Sequence, residues 1–388
     1  MNDFEAYHHH NSLFVSACAV VILMLMNFIE GSTVVAATDV EVTKKIDPYM
    51  ITTRERLNYE GIQEPGYNDS YSFLEINQLT KQRCPEEFVI FVHGWGDDEE
   101  KAKERFDRVK LSLENNSYAH PLIGLSWDSD QAWFSAKFVA KDNGPKLANF
   151  IVNTKVTCKH LEPDKNVKIR LIAHSLGARV VLSALDNLHK DSIWNNSTNN
   201  FNVTSVHLMG AAVDDEEVSM YPRDILNDLT NWGSPKSDYG KAIQEEVIKF
   251  YNLFSTKDNA LEPNFTNPLY PSQIYPSFEA DRALGHSGYQ KFPYDLNATK
   301  SLPRNYKQTI VENEIRAICD ADGDRKSDFL PLTNITIELG DNHGGYLGFR
   351  NNTRLIDDGA MNLVVDDWNN VASGININEN LQSIVTCN

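Results

Sequence analysis

The sequence predicts an α/β protein: a mostly parallel central sheet flanked by helices, with insertions. Three observations carry this reading. Short apolar runs alternate with amphipathic helical stretches along most of the chain. Runs such as Glu87–Val92 are continuously apolar after the first residue, as strands covered on both faces require. Finally, Ile169 to Leu182 reads as a buried strand, a sharp turn centred on Ser175, and a helix.

In chain order, residues 38–80 are mixed polar, and Ser70–Ile76 alternates as an early strand would. Glu87–Val92 is a strand ending at His93-Gly94-Trp95-Gly96. Asp97–Asn115 is a charged amphipathic helix. Pro121–Ser126 is a strand ending at Trp127-Asp128-Ser129. Lys146–Lys159 is a helix, Val167–Ala173 the strand feeding Ser175, and Leu176–His189 the helix after it. Asn202–Met209 and Val247–Phe254 are further strands, ending at Gly210–Asp214 and Ser255–Asp258. Asn334–Leu339 is the last, before Gly340–His343, and residues 360–371 close the chain as a helix. Two long connections, near 214–245 and 259–332, follow strand C-termini, where ligands bind in such sheets. The reading is one catalytic domain over 38–388 with cap-like insertions.

Composition bounds the function. The chain has 388 residues, 41% hydrophobic, with a formal net charge of −18, which argues against a nucleic-acid partner. Leu13–Ile29 is an almost unbroken apolar run followed by small residues up to Ala37. Residues 1–37 therefore read as a secretory signal, although no Lys or Arg precedes the run, or, because the run is close to spanning length, as a membrane anchor. Either places the protein outside the cytoplasm, secreted or at the cell surface, with membrane association through this segment under the second reading. Cys84 precedes a strand and Cys158 ends a helix, both at the bottom edge of the sheet, so the expected pairs are Cys84–Cys158 and Cys319–Cys387. Nine Asn-x-Ser/Thr sequons fit an exported glycoprotein.

The turn at Ser175 carries the chemistry. Ala173 and Gly177, two positions either side, are small enough for a tight strand-to-helix reversal. Such a turn lifts the hydroxyl above the sheet and leaves the Leu176 amide at a helix start to meet an anion. With this context, the chain resembles the α/β-hydrolase superfamily in its esterase/lipase branch over roughly residues 85–350. Ala173-His-Ser-Leu-Gly177 is similar to the nucleophile elbow, with alanine for the first glycine. His93-Gly-Trp-Gly96 looks like the oxyanion motif, Asn252–Leu261 like the segment of the triad acid, and Asp341–Tyr346 like that of the histidine. Trp127-Asp-Ser129 and Leu284-Gly-His286 are similar to a group in this superfamily often described as hydrolases of unknown function.

The resemblance implies Ser175 as nucleophile, His343 as base and Asp258 as the acid that orients it, in the superfamily's order. The amides of Leu176 and of Trp95 or Gly96 would hold the oxyanion. Asp214 and Asp215 compete with Asp258, since they also follow a strand. His286 competes with His343, although no strand precedes it. His93 and His174 are read as supports of loop geometry, and His207 as a satisfied core histidine. No cofactor is needed for this chemistry. Asp320, Asp322, Asp324 and Asp328 are spaced like oxygen ligands of a structural Ca²⁺ loop, or form a solvated acidic turn. Trp95, Trp127, Trp133 and Phe134 line an acyl pocket or pack in the core. The expected function is hydrolysis of a small-molecule or lipid carboxylic ester through an acyl-serine. The alternatives are an amidase, peptidase or acyltransferase on the same residues, and a non-catalytic surface binding protein on this scaffold.

Overall fold

The computed structural model describes residues 46–54, 84–220, 239–256, 258, 260–262, 283–289, 302–311, 343–351, 354–357 and 359–369. Their main sheet has seven strands, all parallel: β1 (Pro48–Thr52), β2 (Glu87–Val92), β3 (Leu122–Ser126), β4 (Lys168–His174), β5 (Val203–Met209), β6 (Val247–Phe254) and β7 (Tyr306–Ile310), in the order β1-β3-β2-β4-β5-β6-β7. A short antiparallel pair, β8 (Phe349–Asn351) and β9 (Arg354–Asp357), stands apart from it. The helices are α1 (Glu99–Asn115), α2 (Trp133–Leu161), α3 (Gly177–Lys190), α4 (Gly240–Glu246), the single turn α5 (Leu284–Ser287) and α6 (Met361–Asn369).

The period-two pleat sorts the strand residues between two layers. Phe88, Ile90 and Val92 of β2 pack with Leu147 and Ile151 of α2 and Val180 and Val181 of α3. Val89 and Phe91 face the other way, toward Phe106 and Val109 of α1 and Met361 and Val364 of α6. Every residue of β2 is buried, as its continuous apolar run requires. Each fully buried side chain of this kind contributes roughly 1.5–3 kcal/mol.

The five central strands and three of the helices, α1, α3 and α6, agree with the sequence reading. The helix expected at Lys146 instead begins at Trp133 and carries Pro145 inside it. Proline has no N–H for the carbonyl four residues back, that of Lys141. The Ser183 hydroxyl of α3 donates to that carbonyl at 2.7 Å. Gly144 makes the approach possible, because a Cβ there would lie 2.2 Å from Ser183 Oγ. Tertiary contact thus satisfies the group that proline leaves open, and the helix runs through. The second expected insertion contains the edge strand β7, and β1 forms the other edge. The segments 1–37, 70–76, 320–328 and 334–339, and Cys319 and Cys387, lie outside the described residues.

Cys84 and Cys158 form a disulfide, with Cα atoms 5.6 Å apart and both side chains buried. It ties the residues before β2 to the end of α2. Among the described residues, no helix is long and apolar enough to cross a membrane. Replacing both cysteines by serine should lower the urea midpoint by the equivalent of about 2–5 kcal/mol. An unchanged midpoint would show that the bridge adds no stability.

Candidate active site

Strand order reverses between β2 and β4: the chain leaves β2 for β3 on one side and returns to β4 on the other. Connections diverge there and open a crevice beyond the strand C-termini. The His93–Asp97 loop after β2 and Ser175 after β4 flank that crevice.

Ser175 sits at φ 54°, in the left-handed region that non-glycine residues rarely adopt. Two backbone hydrogen bonds from the β5 end hold it there. The Ser175 amide donates to Met209 O at 3.0 Å, and Ser175 O accepts from Ala212 N at 3.1 Å. Small neighbours are required on each side. A Cβ on Gly177 would lie 2.5 Å from His93 O, and one on Gly94 would lie 2.8 Å from Ser175 Cβ.

The structure brings Ser175, His343 and Asp258 into one hydrogen-bonded line. Ser175 Oγ lies 2.8 Å from His343 Nε2, and His343 Nδ1 lies 2.7 Å from Asp258 Oδ2. With an acid beyond Nδ1, the consistent tautomer carries the proton on Nδ1, so the serine hydroxyl donates to Nε2. Asp258 is fully buried just past β6, and its other oxygen, Oδ1, accepts from Leu261 N at 3.2 Å. It therefore caps a turn and faces the histidine at once. His343 begins a short 3₁₀ turn, Gly344–Leu347, anchored by the buried Tyr346. Gly210 lets this cluster close, since a Cβ there would lie 2.8 Å from the Tyr346 ring and 3.2 Å from Asp258 Oδ2. The backbone of Gly285 fits against Gly210 and Ala211 for the same reason.

The competing residues are elsewhere engaged. Asp214 caps the 3₁₀ turn Asp215–Val218 in a capping box with Glu217. That glutamate forms a fully buried bidentate pair with Arg179, at 3.0 and 2.7 Å. The His286 ring bonds Ser287 Oγ at 3.0 Å. His207 is buried, with Nε2 3.1 Å from Asp367 and Nδ1 unpaired among the described residues, so it is half satisfied rather than fully.

The loop after β2 is stapled to the end of β3. Trp127 N donates to His93 Nε2 at 3.1 Å, and Trp127 Nε1 donates to His93 O at 2.9 Å. The His93 Nδ1–H then donates to Gly94 O at 3.0 Å. Ser129 Oγ and Arg54 Nη2 donate to Asp97 O at 2.8 and 2.7 Å. Gly96 N donates to Ser129 O at 3.1 Å, so of the two expected alternatives Trp95 keeps the available amide. Among the described residues, no acceptor takes the amide of Trp95 or of Leu176.

Burial keeps two histidines beside the site neutral. Desolvation, helped by the charge of Arg54, pushes His93 down to about 3. Desolvation also holds His174 well below the ordinary value. The His174 Nε2–H donates to the main-chain carbonyl of His343 at 2.7 Å. His174 thus positions the loop that carries the histidine facing Ser175. An open cleft of about 190 Å³ lies over Ser175, bordered by Trp95, Trp133 and Leu261. Trp127 is wholly buried and belongs to the core, while Phe134 is exposed. Asp97 and Arg105 also border the cleft, and sequence reading assigned them no role there. Their position at the start of a helix following a strand end was the available signal.

A parallel sheet with a strained serine turn after its central strand, and Asp and His side chains brought to it from later loops, defines a member of the α/β-hydrolase superfamily. Residues 72–264 match the family described as alpha/beta hydrolase of unknown function (DUF900). No curated protein sequence matches the chain significantly. Among solved structures it is similar to a poly(3-hydroxybutyrate) depolymerase, LpqC, from Bordetella parapertussis, at 12% identity over 60% of this chain and 74% of that one, with a TM-score of 0.37. An arylesterase is similar at 11% identity over 59% and 68%, with a TM-score of 0.31. An esterase from Pyrococcus furiosus is similar at 12% over 58% and 72%, with a TM-score of 0.28.

The neutral histidines make acid sensitivity a prediction. An unfolded histidine takes a proton near 6.5, whereas His93 in the fold does so only near 3. Between those values the unfolded chain binds more protons, so stability falls as pH drops, by up to about 1.4 kcal/mol per pH unit for such a group. Urea midpoints measured from pH 7 to pH 5 should decline, and less steeply in His93→Gln. Equal slopes in both proteins would contradict the assignment.

Proposed function

We propose that this protein is an exported serine hydrolase that cleaves carboxylic esters through an acyl-serine intermediate. One observation carries the reading: the unbroken Ser175–His343–Asp258 line, at 2.8 and 2.7 Å, beneath an open cleft. Ser175 Oγ attacks the ester carbonyl carbon while His343 Nε2 takes the hydroxyl proton. Asp258 orients the ring and stabilises its cationic form. The amides of Leu176 and Trp95 hold the tetrahedral oxyanion, each such donor being worth about 10²–10³ in rate. Collapse breaks the bond to the leaving oxygen, which takes the proton from His343 and departs as the alcohol. A water molecule then gives a proton to His343 and attacks the acyl carbon. Collapse of this second intermediate releases the acid and returns the proton to Ser175.

The Cys84–Cys158 bridge and the apolar run at Leu13–Ile29 support export, because disulfides persist in oxidising compartments. The same residues would serve amide cleavage or acyl transfer. The ester reading is preferred because esters are the easier substrates for an open, solvent-accessible site.

Turnover of p-nitrophenyl butyrate tests the proposal. Ser175→Ala and His343→Ala should each lower kcat/KM by at least about 10³-fold while keeping the wild-type circular-dichroism spectrum. His286→Ala, outside the hydrogen-bonded line, should stay within about threefold. A collapse in His286→Ala with activity retained in His343→Ala would overturn the base assignment.

A further inference from the structure

The cleft over Ser175 contains a cation that ester hydrolysis does not require. Arg105 projects from the second turn of α1 and borders the same cleft as Ser175 and His343. Its Nη1 lies 3.7 Å from where a Cβ on Gly344 would be, beside the residue that follows His343. The side chain is 26% exposed, so the guanidinium meets the cleft rather than the core.

Its local partner is weak. Among the described residues, its ion-pair partner is Asp97 Oδ1, 3.7 Å from Arg105 Nε, well beyond the 2.7–2.9 Å of a charge-assisted hydrogen bond. The backbone of Asp97 is held by Ser129 and Arg54, and its other carboxylate oxygen, Oδ2, faces His93 Nδ1 at 3.6 Å rather than Arg105. Burial raises the Asp97 pKa, and the charges of Arg105, Lys101 and Arg54 oppose that rise. Among the described residues, Arg105 makes no hydrogen bond, although a guanidinium offers five donors in a rigid fork. Of the other ionisable side chains at the cleft wall, Asp97 is the weak partner, His343 faces Ser175, and His174 is kept neutral by burial. A substrate filling this cleft displaces water from the guanidinium and must itself supply acceptors.

We propose that Arg105 is a specificity-determining residue, and that the cleft takes esters bearing a carboxylate, which the guanidinium pairs while Ser175 faces the ester carbonyl. This rests on the hydrolase reading of Ser175. The pairing discriminates by leaving the guanidinium desolvated and without a hydrogen-bond acceptor when a neutral ester binds. The net charge of −18 gives no general attraction for anions, so the preference has to arise locally at Arg105.

The test uses matched chromogenic esters on the full-length protein. p-Nitrophenyl hydrogen glutarate carries the carboxylate on the acyl side and p-nitrophenyl methyl glutarate is its neutral counterpart. 4-Acetoxybenzoate and methyl 4-acetoxybenzoate form the same pair on the leaving-group side. Wild type should favour the anionic member of at least one pair by about tenfold or more in kcat/KM. Arg105→Gln should abolish that ratio and Arg105→Lys should keep part of it, since lysine retains the charge without the fork. A wild-type ratio near one in both pairs overturns the proposal. So does an Arg105→Gln variant that loses both members of a pair by the same factor, which is what a purely structural role would give. Calorimetric titration with monomethyl glutarate against dimethyl glutarate separates this proposal from the hydrolase reading. If no ester is turned over, the hydrolase reading fails, and binding of the anion that disappears in Arg105→Gln still upholds the anion site. Equal binding of the two compounds removes it.

Discussion

The backbone of Ser175 is the point on which the site depends. A serine at φ 54° is strained, and it persists because both of its peptide groups are bound to the end of β5. Met209 O takes its amide and Ala212 N reaches its carbonyl. The next link runs outward, from Gly210 N to Leu253 O at the end of β6. A few residues later the chain delivers Asp258. The register of β4, β5 and β6 therefore sets the distance between the serine turn and the acid. His343 closes the remaining gap from a turn pinned by Tyr346 and by the ring of His174.

The same economy of space governs the other side of the cleft. Gly94 and Gly177 are in near contact with the serine turn, and neither position has room for a methyl group. The His93–Asp97 loop keeps its shape through bonds to Trp127 and Ser129, not through packing of its own side chains. A further bond to Ser129 O uses the Gly96 amide, while that of Trp95 has no acceptor among the described residues. The neutral His93 ring accepts from one peptide group and donates to another, a role that a protonated ring could not fill.

Much of this was legible in the sequence because local pattern and global structure agree. The β2 run is apolar on both faces, as a central parallel strand needs, and the buried end of β4 leads straight into the serine turn. Ala173, Ser175 and Gly177 announce a turn whose sterics admit few other residues. The edges were not legible. β7, Tyr306–Ile310, is a mostly exposed polar strand with no periodic signal, and β1 is half exposed. The start of α2 was hidden by Pro145, whose usual effect Ser183 cancels from another helix. The choice between Trp95 and Gly96 turned on one hydrogen bond to Ser129, which no spacing in the chain encodes. Arg105 was overlooked because a charged residue on an amphipathic helix ordinarily faces solvent.

The central claim is that Ser175 is a nucleophile made reactive by its neighbours and not merely a strained serine. Incubation with a fluorophosphonate followed by peptide mapping by mass spectrometry tests this most directly. The account predicts a single phosphonylated peptide bearing the adduct on Ser175, absent from Ser175→Ala and strongly slowed in His343→Ala. A folded wild-type protein that takes up no label, or takes it up on another residue, would contradict the account.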